Sequence, residues 1–207
     1  MRIRNVIVIG ASTGGPETLR KLLTKLPVLD ASILIVQHMP IYVNESVRKE
    51  IVSESSMEIR LAKDGDRLQN GLIYLAPSLV HMELVNNLEI KLAKGEKVNF
   101  VRPAIDVTMK SLKPSPSINF IGVVLTGMGE DGARGISHIK KELRGKTIAQ
   151  DQSTCVIYGM PKAAEETGDV DFVLPLEKIP MKIAELVGSA GASENTLRNS
   201  MTAARKN

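Results

Sequence analysis

Three aliphatic runs limit the architecture of this chain more than any other feature: NVIVIG (5–10), SILIVQH (32–38) and NFIGVVLTG (119–127). They are apolar at nearly every position instead of alternating, so strands built from them are buried on both faces. Such strands need helices on both sides of their sheet, and helical stripes do follow them. Leu19, Leu22, Leu23 and Leu26 recur at helical spacing before Pro27; Val43, Val47 and Ile51 follow the second run, and Ile136, Ile139 and Leu143 the third. Ile105, Met109 and Leu112 mark another helix, and Ile179, Ile183 and Leu186 a last one. MEIRLA, TIAQ and VDFVLP read as further strands, and PKAAEETG as a helix.

This alternation predicts an α/β fold, doubly wound, with a mainly parallel sheet and helices on both faces. The middle of the chain differs. GLIYLAP, VHMELVN and LEIKLA are short strands divided by turn residues, with Asn86-Asn87 placed for a hairpin turn. An antiparallel hairpin insertion is expected there. Residues 1–187 form one domain in this reading, and 188–207, small, polar and unpatterned, a flexible C-terminal tail.

Composition excludes several functions. The 207 residues are 43% hydrophobic but contain no Trp and only 3% aromatics, so aliphatic side chains fill the core and little surface remains for stacking bases. A net charge of +4, with basic and acidic residues mixed, gives a mildly basic surface without the concentrated patch of a nucleic-acid binder. A single cysteine, Cys155, excludes an internal disulfide and fits a reducing compartment; a lone thiol of this kind reads as a small packing residue. The first apolar run is too short to span a membrane and lacks a cleavage pattern, so a cytoplasmic protein without membrane insertion is expected. The three histidines, 38, 81 and 138, share no ligand spacing, so no metal site and no cofactor are expected; His81 and His138 read as structural or solvated.

Ligands of doubly wound sheets bind beyond the carboxyl ends of the strands. Three loops leave that edge: GASTGG with Ser12, QHMP with His38, and MGEDGARG with Asp131. A hydroxyl, an imidazole and a carboxylate are what a serine nucleophile requires: the imidazole takes the hydroxyl proton, and the carboxylate orients the ring and stabilises its charged form. Proton transfer of this kind contributes about 10²–10⁴-fold in rate. A helix N-terminus after Ser12 offers N–H groups to a developing oxyanion. Each residue also has a plainer reading. Ser12 or Thr13 suits a helix N-cap, His38 a strand-end hydrogen bond, and Asp131 a helix start. A phosphate loop fits less well. GASTGG lacks the G-x-G-x-x-G spacing, Gln37 and His38 stand where a ribose-binding acid is needed, and neither G-x-x-x-x-G-K-[ST] nor G-x-S-x-G is matched.

The segments IGASTGGPE, VQHMP, GLIYLAPSLVHMEL, RPAIDV, VVLTGMGEDGARG and TIAQDQSTCVIYGMP occur in the order found in chemotaxis protein-glutamate methylesterases. From about residue 5 to 187 the chain resembles the catalytic domain of this CheB family. The resemblance implies a serine hydrolase that cleaves glutamate γ-methyl esters, and deamidates particular glutamines, on the cytoplasmic helices of methyl-accepting chemoreceptors. It implies a catalytic triad of Ser12, His38 and Asp131, oxyanion donors at Thr13 and Met128, and an arginine near the site mouth at Arg102. Family members commonly carry an N-terminal receiver domain that gates the site, whereas this sequence opens at the first catalytic strand; the readings are a stand-alone esterase, or one whose receiver lies elsewhere or was removed, with a separate receiver domain or another regulator as the candidate partner. Two positions depart from the family pattern: Glu130 where asparagine is frequent, and Val101 where histidine is common. An extra carboxylate beside the triad bears on rate and substrate preference. The competing readings are an esterase or deamidase acting on another protein, and a receptor-binding module with a silent triad.

Overall fold

The computed structural model describes residues 2–38 and 55–188; the helical stripe expected at Val43, Val47 and Ile51 and the tail expected after 188 lie outside the described residues. Seven strands form one sheet, all neighbours parallel, in the order β3-β4-β2-β1-β7-β8-β9. They are β1 (Asn5–Ala11), β2 (Ser32–Gln37), β3 (Glu58–Leu61), β4 (Leu72–Leu75), β7 (Asn119–Val124), β8 (Lys146–Gln150) and β9 (Phe172–Leu174). A separate hairpin pairs β5 (His81–Val85) with β6 (Glu89–Ala93) in antiparallel register.

All seven residues of β1 and all six of β2 are buried, which is why their sequences do not alternate. On one face, Leu19, Leu22 and Leu23 of α1 (Gly15–Lys25) pack with Ile179, Ile183 and Val187, from a helix running from 179 to 188, against Ile7, Ile9, Ile33, Ile35 and Val123. On the other, α2 (Ile105–Ser111), α3 (Ala133–Lys141) and α4 (Met160–Glu166) lie with the hairpin over Val6, Val8, Leu34, Val36 and Val124. Each fully buried Val, Ile or Leu contributes about 1.5–3 kcal/mol from burial, so these two aliphatic layers supply the driving force without tryptophan.

The structure revises the reading of the middle segment in one respect. GLIYLAP does not join the antiparallel insertion; its Leu72–Leu75 is an inner parallel strand between β3 and β2, and only VHMELVN and LEIKLA form the hairpin. Asn86 and Asn87 turn that hairpin with φ of 53° and 60°, values Asn tolerates better than most residues. The remaining strands and helices within the described residues form where the periodicity predicts them. The strand order reverses between β1 and β7, with β2 to one side and β8 to the other, so the switch point lies at their carboxyl ends.

Candidate active site

Parallel register brings the loops together. Ala11 pairs with Gln37 and Gly10 with Val124, so the next residues, Ser12, His38 and the segment from Leu125, emerge side by side. Ser12 N–H donates to the Thr126 carbonyl (3.0 Å) and His38 N–H to the Ala11 carbonyl (3.0 Å). Gln37 adds a brace: its buried Nε2 donates to the Ser12 carbonyl (2.9 Å) and the His38 carbonyl (2.8 Å), locking the two loop starts to each other. Its Oε1 lies where a Cβ on Gly15 would come within 1.9 Å, so a larger residue at that first helical position would displace the Gln37 brace.

Ser12 is not the helix cap. The N-cap of α1 is Gly14, in the left-handed region at φ 78°, and no side chain caps the helix. A Cβ at Gly14 would also lie 2.6 Å from Val156 Cβ. The Ser12 side chain is therefore not committed to capping, and its Oγ makes no hydrogen bond with another described residue. Thr126, fully buried, ties the neighbourhood together. Its N–H donates to Gln150 Oε1 (2.9 Å), its hydroxyl lies 3.1 Å from the Thr13 carbonyl and 3.2 Å from that of Ile157, and Ile157 N–H donates to its Oγ1 (2.9 Å). Gly127 sits so close to Ser12 that a Cβ there would be 2.7 Å from Ser12 Cβ and 2.3 Å from Met160 Sδ.

His38 Nε2 lies 2.8 Å from Asp131 Oδ2. Both side chains are shielded, with relative exposures of 11% and 3%. Asp131 does not cap its own helix, whose N-cap is Gly132 at φ 101°. Its carboxylate turns to the start of α2: Oδ2 also accepts from Ile105 N–H (2.7 Å), while Oδ1 accepts from Asp106 N–H (3.1 Å) and Asn99 Nδ2 (2.9 Å). Burial alone would raise the Asp131 carboxyl. The hydrogen bonds from His38, Ile105 N–H and Asn99 outweigh it and hold the group below the usual carboxylate range. A carboxylate accepting at both oxygens obliges the imidazole to donate through Nε2–H, which leaves the Nδ1 lone pair as the basic one.

Thr13 and Met128 are exposed, and neither backbone N–H bonds to another described residue, so both remain available at the edges of the Ser12 turn. Arg102 is not drawn into this network: its guanidinium donates to the Gly95 carbonyl, and it bonds to none of Ser12, His38 or Asp131. Glu130 points outward, 3.9 Å from the exposed Arg134, so its carboxylate pairs away from the imidazole. His81 is buried between the Glu96 carbonyl and Ala104 N–H, and His138 bonds to the Leu112 carbonyl; both brace loops. Burial, with Asp151 and Glu165 adding, pushes the Cys155 thiol up to about 12, so it is no thiolate nucleophile at neutral pH. No group of three or more His, Cys, Asp and Glu side chains is placed to hold a metal ion among the described residues.

Asn99, Asp106 and Gln37 are the members that sequence reasoning missed. Gln37 stood in a quoted motif and Asp106 in RPAIDV, but nothing in either motif indicates the partner of its side chain. Around the site, four apolar side chains among the described residues face solvent: Phe100 (93% exposed), Met128 (76%), Val156 (63%) and Ile157 (40%).

Fold and edge together define a doubly wound α/β chain with a hydroxyl beside a hydrogen-bonded imidazole–carboxylate pair at its switch point. The CheB methylesterase family profile matches residues 7–183, and the chain belongs to that family. It is 46% identical over 195 residues to the protein-glutamate methylesterase/protein-glutamine glutaminase of Pyrococcus horikoshii, and 42% identical over 182 residues to that of Clostridium acetobutylicum. These alignments cover 91% and 87% of this chain but 53% and 52% of the relatives, so the chain spans about half their length. The crystal structure of the Thermotoga maritima CheB methylesterase catalytic domain superposes with a TM-score of 0.82 at 39% identity, covering 90% of this chain and all of that one.

Proposed function

We propose that this chain is a protein-glutamate methylesterase and glutamine deamidase acting on the cytoplasmic helices of chemoreceptors, with Ser12 as nucleophile, His38 as general base and Asp131 as its orienting acid. The observation that carries this reading is the 2.8 Å contact of His38 with Asp131, beside a serine that capping leaves free, in a chain of this family.

In this mechanism His38 Nδ1 accepts the Ser12 hydroxyl proton as Oγ attacks the carbonyl carbon of the glutamyl methyl ester. The oxyanion of the tetrahedral intermediate is held by the N–H groups of Thr13 and Met128. The intermediate collapses, the methoxy oxygen takes the proton from Nδ1, and methanol leaves an acyl-Ser12. Water then gives a proton to Nδ1 and attacks the acyl carbon; the intermediate collapses as Nδ1 returns the proton to Ser12 Oγ, and the glutamic acid product departs and loses its own proton to solvent. Glutamine follows the same course with ammonia leaving. Asp131, acceptor-only at both oxygens, stabilises the imidazolium at each stage without taking its proton. The exposed collar of Phe100, Met128, Val156 and Ile157 favours a protein surface over a small ester as substrate, since grouped apolar side chains in water mark interaction sites.

Mass spectrometry of methylated receptor cytoplasmic fragments tests the proposal. The expected result is the loss of one CH2 mass per glutamyl ester, with conversion of amide to acid at particular glutamines. Unchanged receptor masses after incubation with folded protein would contradict it.

A further inference from the structure

The carboxylate facing His38 is not held by the backbone alone. Two helices cap one another with aspartates exchanged between their N-terminal ends: Asp131, just before α3, accepts the first N–H groups of α2, while Asp106 of α2 accepts Gly132 N–H (3.0 Å) and Gly135 N–H (2.7 Å) at the start of α3. The exchange sets two buried carboxylates close together, and burial and the nearby Asp131 charge raise the Asp106 carboxyl against the pull of its hydrogen bonds. Asn99 lies between them. Its Nδ2 donates to Asp106 Oδ2 and to Asp131 Oδ1, each at 2.9 Å, so both amide protons are spent on the two acids.

The turn that delivers this amide is an unfavourable one. Asn99 and Phe100 have φ of 52° and 65°, and Val98 and Val101 close the turn through reciprocal backbone hydrogen bonds of 3.2 and 3.0 Å. Two left-handed central residues make the hairpin turn that prefers Asn-Gly. Phe at the second position costs about 1–2 kcal/mol, and its ring, 93% exposed, recovers nothing from packing.

We propose that Asn99 is a positioning residue for the reaction, its amide bridging Asp131 and Asp106 so that Asp131 keeps Oδ2 on His38. The inference rests on the reading of Asp131 as the partner of the catalytic base. An aspartate rotates easily about its last torsion. With four donors (His38, Ile105 N–H, Asp106 N–H and Asn99) on its two oxygens, Asp131 has no free acceptor direction and one orientation. Without Asn99, Oδ1 keeps one donor and the two carboxylates face each other unbridged. Among the described residues, the charged groups near Asn99 include Asp106 and Asp131 on its amide, His38 beyond Asp131, and Glu96, Lys97 and Arg102 on its own segment; Glu83, Lys110, Lys113 and Arg134 line a cavity of about 360 Å³ that Val98 and Asp106 also border.

The test compares wild type, Asn99→Ala and Asn99→Asp, using a fluorophosphonate probe as the serine-directed reagent across a pH series. Asn99→Ala should lower the maximal labelling rate about tenfold, the worth of one charge-assisted hydrogen bond, while the half-saturating probe concentration moves less than about twofold. Asn99→Asp has a sharper outcome. A third carboxyl facing two others holds a proton at low pH and donates it to one of them, keeping half of the amide's bridge; as pH rises the proton leaves and the contact becomes a repulsion. Labelling of this variant should fall on the alkaline side, where wild type and Asn99→Ala stay level. Circular dichroism at each pH gives the folded fraction, and labelling rates are divided by it, so the test survives a destabilised variant whose stability changes with pH.

NMR of the His38 ring N–H supplies a readout that needs no turnover: the resonance bonded to Asp131 should be protected in wild type and lost to solvent exchange in Asn99→Ala. An Asn99→Asp profile parallel to wild type, or an unchanged His38 N–H signal in Asn99→Ala, would overturn the inference. A wild type that shows the protected N–H but no Ser12 labelling would instead count against the esterase reading alone.

Discussion

His38 meets Asp131 through Nε2, at 2.8 Å, so the imidazole nitrogen that the proposed mechanism gives the Ser12 proton is Nδ1. In the familiar serine-protease arrangement the acid holds Nδ1 and the serine faces Nε2; the mechanism proposed for this chain uses the ring the other way round. Ring orientation follows from the loop order: the Ala11–Gln37 register starts His38 beside Ser12, and the α2 N-terminus holds the carboxylate at the far end of the ring.

Asp131→Asn should reduce turnover about 10³–10⁴-fold while leaving a measurable residue from the oxyanion donors and binding. An amide offers one acceptor oxygen where four donors now converge, so one side of the group must face N–H against N–H. Steady-state kinetics on methylated receptor fragments would check this; less than a tenfold loss would remove Asp131 from the mechanism.

The same residue makes stability depend on pH. The Asp131 carboxyl is lowered in the folded chain, so its stabilisation is full above the unfolded value near 3.9 and is lost as pH falls through the folded value. Thermal melts should therefore show wild type well above Asp131→Asn at pH 6, with the gap closing below about pH 4. Asp106 contributes in the opposite sense. Its carboxyl is raised, so the native state binds its proton more readily, and its term weakens stability as pH climbs from about 3.9 through the raised value.

Gly127→Ala should impair activity more than stability. The added methyl would lie 2.7 Å from Ser12 Cβ and 2.3 Å from Met160 Sδ. The flexible methionine can give way, but Ser12 cannot shift without losing its place beside His38. A displacement of about 1 Å costs on the order of 10²-fold. Labelling kinetics alongside a thermal melt would separate the two effects.

Phe100→Asn should stabilise the protein by about 1 kcal/mol, because asparagine tolerates the left-handed backbone at φ 65° and an exposed ring forfeits little. For a chain of this size that is a rise of about 2–4 °C in Tm. A fall in Tm would mean that the ring packs in solution.

The strands were legible because burial on both faces writes itself as unbroken aliphatic runs, and the loops holding Ser12, His38 and Asp131 follow from knowing where such strands end. LIYL was not assignable to its partners: a four-residue apolar run carries no mark of parallel or antiparallel pairing. Ser12 and Thr13 have good capping chemistry, yet Gly14 caps α1 because the chain turns there with positive φ beside Val156. Asn99 was invisible for another reason. Its amide reaches Asp131 across 32 positions from a strained turn, and such a contact leaves neither period nor spacing in the sequence.

Methanol release from methylated chemoreceptor fragments by wild type and Ser12→Ala tests the central claim most directly. The account predicts steady release by wild type and none above background from a Ser12→Ala chain whose melting curve is intact. Release by Ser12→Ala at the wild-type rate would contradict it.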